Sequence, residues 1–249
     1  MIAVGTSGWS YDDWRGAFYP RALPRSQWLG YYAQQFPTVE VNSCFYRLPS
    51  EGTVTRWHDQ APAGFRFAVK GSRFVTHQRR IAGAGDGVSR FVHRVAGLAE
   101  RLGVALWQLP PTLERDADLL AGFVSILPGG ARHAIEFRHP SWLVDDVFGI
   151  LRDHGVALVW VSSVGMPAAA VETADFVYLR LHGLADGYAH DYSADELRPW
   201  LERLRDAHAR GRDGYVYFNN DARARAPKNA RELTEALGEA SAPWPPPEP

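Results

Sequence analysis

The stretch FVYLRLHG, residues 176–183, decides the fold. Side chains alternate along a strand, so Val177, Leu179 and Leu181 share one face. Phe176, Tyr178, Arg180 and His182 share the other. On the edge of an antiparallel sheet, Arg180 and His182 would simply meet water. In a strand buried on both faces they would point into protein, where a charge needs partners. The neighbours of this strand in the sequence choose between the two.

Seven further strand-like runs accompany it: IAVGTS (2–7), TVEVN (38–42), FRFAVK (65–70), VALWQ (104–108), HAIEF (133–137), VALVWVS (156–162) and YVYFN (215–219). Helical patterns separate most of them. VSRFVHRVAGLAERLG (88–103) repeats apolar residues at three- and four-residue spacing. SADELRPWLERLRDAHARG (193–211) opens on an N-cap serine. Short apolar strands alternating with helices predict parallel strands covered on both faces. At 249 residues the simplest closed solution is an α/β fold, a single (β/α)8 TIM-type barrel of parallel strands over residues 1–240. The gap around GMPAAAVETA (165–174) is too small for a full helix and its turns, so the sixth helix is expected to be short or missing. Residues 241–249 form a Pro-rich C-terminal tail, and PWPPPEP is expected to be extended or disordered.

In such a barrel Val177, Leu179 and Leu181 face the helices, while Arg180 and His182 face the lumen near the C-terminal mouth. The same alternation places Glu40 and Asn42 inside on strand two, Lys70 on strand three, and Gln108 at the end of strand four. It adds Glu136 and Arg138 on strand five and Asn219 on strand eight, with Asn220 beside it. A purely structural barrel would fill these layers with Val, Ile and Leu.

GTSGWSYDDWRGAFYP, TVEVNSCFYRLPS, FRFAVKGSRFVTH, WQLPP, IEFRHPSW, YLRLHG and YFNND, in this order from residue 5 to residue 221, resemble the YecE-like proteins, the family called domain of unknown function 72 (DUF 72). The resemblance runs from residue 2 to about residue 238, with no departure at the mouth residues. It implies a (β/α)8 barrel distantly similar to the sugar-isomerase and endonuclease-four barrels. It implies a fold and names no reaction.

Lys70, Arg138 and Arg180 set three cations against Glu40 and Glu136. The surplus points to a small anionic ligand, a phosphorylated sugar or nucleotide-like substrate. The three cations would hold it, Asn42, Gln108, Asn219 and Asn220 would add amides, and Glu40 or Glu136 would move a proton with His182 as partner. The alternative is a structural network in which the carboxylates only satisfy the cations. A Schiff-base role for Lys70 needs desolvation away from carboxylates, and two are expected nearby, so it ranks low.

Trp9, Tyr11, Trp14, Phe18 and Tyr19 follow strand one, Trp142 follows strand five, and Tyr188, His190 and Tyr192 follow strand seven. With His77 they would ring the mouth and stack on a ligand ring, or pack the first loop as a small core. A cofactor is not specified. A catalytic divalent metal drawn from His77, His139, His182, Glu40, Glu136 and Asp221 is the less favoured reading, because three neighbouring cations would repel the ion and no HxH or HExxH spacing occurs. Nucleic acid, or a ligand-binding protein without turnover, is the alternative. A formal net charge of −1 weighs against extended nucleic-acid contact. Cys44 is the only cysteine and is expected to be an inert buried thiol, and GAGDG (83–87) a plain loop. With no basic leader and no long apolar run, the expectation is a cytoplasmic protein with no membrane partner. The sequence sets no oligomeric state.

Overall fold

Residues 1–244 are described in the computed structural model. The strands are β1 (Ile2–Ser7), β2 (Thr38–Val41), β3 (Arg66–Lys70), β4 (Leu102–Gln108), β5 (Arg132–Glu136), β6 (Ala157–Ser162), β7 (Phe176–Leu181) and β8 (Asp213–Phe218). Each pairs in parallel with the next, and β8 returns to β1 to close the barrel. The helices are α1 (Trp28–Ala33), the single turn α2 (Ser43–Tyr46), α3 (Glu51–Gln60), α4 (Gly85–Val95), α5 (Ala117–Ser125), α6 (Asp145–Asp153), α7 (Ala194–Ala209) and α8 (Arg225–Leu237). The (β/α)8 architecture read from the eight apolar runs is therefore the one present. None of these helices is long and apolar enough to cross a membrane.

The alternation holds. Val177, Leu179 and Leu181 join Phe67, Trp107, Ile135 and Phe218 in the apolar layer under the helices. Phe176 and Tyr178 join Val104, Leu106, Val159, Tyr215 and Tyr217 in the lumen. The lower lumen is thus apolar and aromatic, and the polar residues stand above it. Gly183, which ends the opening stretch, has φ +88 and Gly187 O lies where a Cβ would stand, so only glycine permits this turn out of β7.

Two helix boundaries differ from the sequence reading. The helix expected over 88–103 stops at Val95 and gives way to a tight turn, Ala96–Arg101, containing Ala99 at φ +48. β4 must already begin at Leu102 to pair with Phe67, and that pairing overrides the helical pattern. GAGDG is not all loop, since Gly85–Gly87 opens α4. Residues 163–175, between β6 and β7, carry no helix, as the short gap required. Thr173 fills part of that role: its Oγ1 accepts from Leu158 N and donates to Val156 O, both at 2.7 Å. Ser193 caps α7 in a reciprocal box with Glu196.

At the opposite end of the barrel, Ser241 bridges to Ile2 and Trp244 Nε1 donates to Ala33 O at 2.9 Å. The proline-rich residues 245–249 lie outside the described residues.

Candidate functional site

The register of the barrel decides who meets whom at the mouth. Ser7 on β1 lies beside Glu40 on β2, and Gln108 on β4 beside Glu136 on β5. Arg180 enters from β7 between the two carboxylates. Its Nε and Nη2 donate to the two oxygens of Glu40 at 2.9 and 2.8 Å, and its Nη1 donates to Glu136 at 2.6 Å. Ser7 Oγ and Tyr178 OH also donate to Glu40. Arg138 Nε donates to the other oxygen of Glu136. Glu40 and Glu136 have no exposed surface and Arg180 only 2%. Burial alone would raise both carboxyl pKa values, but the Arg180 charge and these hydrogen bonds hold Glu40 below its ordinary value. Arg180 and Arg138 hold Glu136 well below. Burial opposes the Arg180 charge too, and the two carboxylates outweigh it.

Above this network lies an open cavity of about 420 Å³, within the range of small-molecule sites. Lys70, at the end of β3, opens into it. Among the described residues no carboxylate pairs with Lys70, and its Nζ sits 4.4 Å from the centre of the Phe45 ring. Burial, then Arg180, pull the Lys70 ammonium down to about 8, against the opposing pull of Glu136 and Glu40. His182 is 6% exposed and also lines the cavity. Burial and the Arg180 charge push its pKa below the ordinary value, so the ring is neutral at pH 7. Asn219 Nδ2 donates to its Nδ1 at 2.8 Å, which leaves the hydrogen on Nε2. That Nε2 is buried without a hydrogen-bond partner and stands 3.9 Å from Glu136. Asn42 Nδ2 donates to Ser7 Oγ, while its Oδ1 is likewise buried without a partner. The cavity therefore offers an ammonium, an imidazole N–H and an amide oxygen, each unspent within the described protein.

The structure gathers Asn42, Lys70, His77, Gln108, Arg138, Arg180, His182 and Asn219 around this one cavity. Several expectations need correction. Arg180 does not present a free guanidinium, because all three of its nitrogens serve carboxylates. Glu40 and Glu136 do not fit the role of proton carriers, being held as fully buried carboxylates behind Arg180. Asn220 points away from the mouth, bonding His190 O and Asn229 Oδ1 behind β8. Trp9 packs edge-on against Trp57, and Tyr11 lies tilted against Trp14 and donates its hydroxyl to Ser7 O. With Phe18, Tyr19 and Trp28 the first loop is a small aromatic core. Trp142 is buried against Phe137, and Tyr192 reaches back to Gly183 N and Ser162. Tyr188 does line the mouth. The sequence reading missed Ser7, Phe45 and Tyr46, which reach the site from the loop ends of β1 and β2. For Phe45 and Tyr46 the signal was the FY pair directly after TVEVNSC. Asp221, weighed only as a metal ligand, lines the cavity too, and burial raises its pKa. Cys44 is buried and its thiol is pushed up to about 12, which makes it inert.

These residues do not fit a divalent metal. Two of the expected ligands, Glu40 and Glu136, are spent on guanidiniums, and among the described residues no three His, Cys, Asp or Glu side chains gather.

A family model described as protein of unknown function DUF72 matches residues 3–249. The UPF0759 protein YecE of Escherichia coli (strain K12) is 35% identical over 143 residues, 57% of this chain and 50% of that protein. The chain thus spans about half the length of that relative. The UPF0759 protein YunF of Bacillus subtilis (strain 168) is 25% identical over 270 residues, 95% of each. Among solved structures, a DUF72 family protein from Thermotoga maritima MSB8 superposes with TM-score 0.87 and 31% identity, covering 96% of this chain and 100% of that one. One from Enterococcus faecalis V583, 20% identical, shares the fold with TM-score 0.82 over 95% of each chain. An eight-stranded barrel with this mouth and a match over nearly the whole sequence belongs to the DUF72 family.

Proposed function

We propose that the barrel mouth binds a small anionic molecule, a phosphate ester or carboxylate of sugar or nucleotide size, and acts on it there. The observation that carries this reading is the Lys70 ammonium at the mouth cavity, with no carboxylate partner among the described residues. Arg180 is consumed by Glu40 and Glu136, so the anion falls to Lys70 and to Arg138, whose Nη2 makes no hydrogen bond within the described residues. His182 Nε2 and Asn42 Oδ1 supply a donor and an acceptor to the body of the ligand. Tyr46 and Tyr188, 74% and 61% exposed, offer ring faces at the rim. Asp221, whose pKa burial raises, is the carboxyl group of the cavity that no guanidinium among the described residues pairs with. The net charge of −1 favours a small ligand over a long nucleic acid.

Calorimetric titration with inorganic phosphate and a sugar phosphate tests this. Binding should weaken by about tenfold or more in Lys70→Ala and in Arg138→Ala, the worth of one charge-assisted hydrogen bond. It should be unchanged in Cys44→Ser. No binding at millimolar concentration, or binding indifferent to both cations, overturns the reading.

A further inference from the structure

We propose that Lys70 is a nucleophilic amine that forms an imine with a small carbonyl compound whose anionic group lies beside Arg138. The anionic half rests on the proposed function; the amine half stands on separate observations.

The first is which cation the chain uses. It contains 25 arginines and 2 lysines. Both other mouth cations, Arg138 and Arg180, follow the rule, and Lys228 sits on the surface with Asp191 and Glu232. Lys70 alone departs from it inside the barrel. Arginine holds anions at least as well, through its planar fork of donors, but it stays protonated and cannot attack a carbonyl. A lysine at this position supplies what arginine cannot.

The second is geometry. The sequence reading set imine chemistry aside because two carboxylates were expected near Lys70, where they would keep it charged. The structure removes that objection. Both oxygens of Glu40 go to Arg180, Ser7 and Tyr178, and those of Glu136 go to Arg138 and Arg180. The guanidiniums stand between the carboxylates and the amine's duty. The Phe45 ring covers one side of Nζ, and the open cavity lies on the other. Desolvation beside other cations is the arrangement that frees a lysine amine, and it brings Lys70 to about 8.

The step balances without an oxidant or reductant. The Nζ lone pair adds to the carbonyl carbon, and the carbonyl oxygen takes up a proton to give a carbinolamine. That hydroxyl leaves as water as the nitrogen pair forms the C=N bond. The sum is amine plus carbonyl giving imine plus water. His182 Nε2–H lines the same cavity as a proton donor to the departing oxygen.

The test incubates the full chain at pH 8 with pyruvate in one arm and dihydroxyacetone phosphate in the other, with sodium borohydride to trap the imine. Intact mass and peptide mapping then locate the adduct. Lys228 is the internal reference, since its bond to Asp191 holds it above the ordinary value. At pH 8 about half of an amine with pKa 8 is neutral, against well under one percent of an ordinary lysine, so Lys70 should label more than about 100-fold faster. Lys70→Arg should abolish the adduct. The arm that labels identifies the anion as carboxylate or phosphate. No adduct on Lys70 in either arm, or one no faster than on Lys228, overturns the inference. If calorimetry still shows the same anions binding, the inference fails alone; if binding is absent as well, the proposed function fails with it.

Discussion

At the scale of single residues, the mouth divides into side chains that hold the barrel and side chains that cost it stability. Glu40 belongs to the first group. Removing its charge leaves Arg180 buried with half its partners gone, a loss of about 3–5 kcal/mol for broken buried pairs. Glu40→Gln should therefore lower the thermal midpoint by about 10 °C, read by circular dichroism or calorimetry. Lys70 belongs to the second. Its folded pKa lies below the unfolded one, so below pH 8 its charged form is a burden that the native state carries. Lys70→Met should raise stability at pH 7 by about 0.5–2 kcal/mol, as removal of a functional, unfavourable group does. A fall on Lys70→Met comparable to that of Glu40→Gln would make Lys70 structural. The alternation of side chains was enough to name Glu40, Lys70, Glu136, Arg180 and His182 from sequence. It could not tell which carboxylate met which cation, because Arg180 and Glu40 are 140 residues apart and meet only through barrel closure. Asn220 was misplaced by neglect of the same rule: the period that turns Asn219 inward turns its neighbour outward.

At the scale of elements, the sixth connection, between β6 and β7, is the informative one. Residues 163–175 join β6 to β7 without a helix. Thr173, 3% exposed, closes this stretch onto the barrel by serving one donor and one acceptor of the chain at β6. Thr173→Val keeps the shape and leaves both backbone groups unpaired, so it should cost about 1–3 kcal/mol in a urea melt. A change below about 0.5 kcal/mol would show that the connection is held by packing alone. The missing helix was legible in the length of the gap, but the latch was not, because a buried threonine hydroxyl looks like any other residue of a loop. The aromatic first loop shows the opposite failure. Trp9, Tyr11, Trp14, Phe18 and Tyr19 suggest a ring-binding rim by composition, and the same rings serve equally to fill a long loop from within. The exposed rim falls instead to Tyr46 and Tyr188, one from each of two shorter loops.

At the scale of the whole molecule, Arg180 ties β2 and β5 to β7 across the lumen, so the network is a cross-brace of the barrel as well as the floor of its cavity. Both carboxylates titrate lower in the folded state than in the unfolded one. Such groups add stability above the unfolded carboxylate value of about 4.3, and the addition is lost as pH falls below it. Buried His182 and His133, whose pKa values burial lowers, oppose protonation, so unfolding free energy measured from pH 7 to pH 3 should begin to decline below about 6.5 and drop more steeply below about 4.3, and Glu136→Gln should flatten the lower drop only. With the carboxylates spent on arginine, Lys70 leaves a place for an anion at the barrel mouth. Crystals soaked in tungstate, a heavy oxyanion of phosphate-like charge, show where that place is by anomalous scattering. A peak is expected in the mouth cavity within hydrogen-bond distance of Lys70 Nζ or Arg138, absent from Lys70→Met crystals. Peaks only at exposed arginines away from the barrel, with none at the mouth, would contradict an anion site at Lys70.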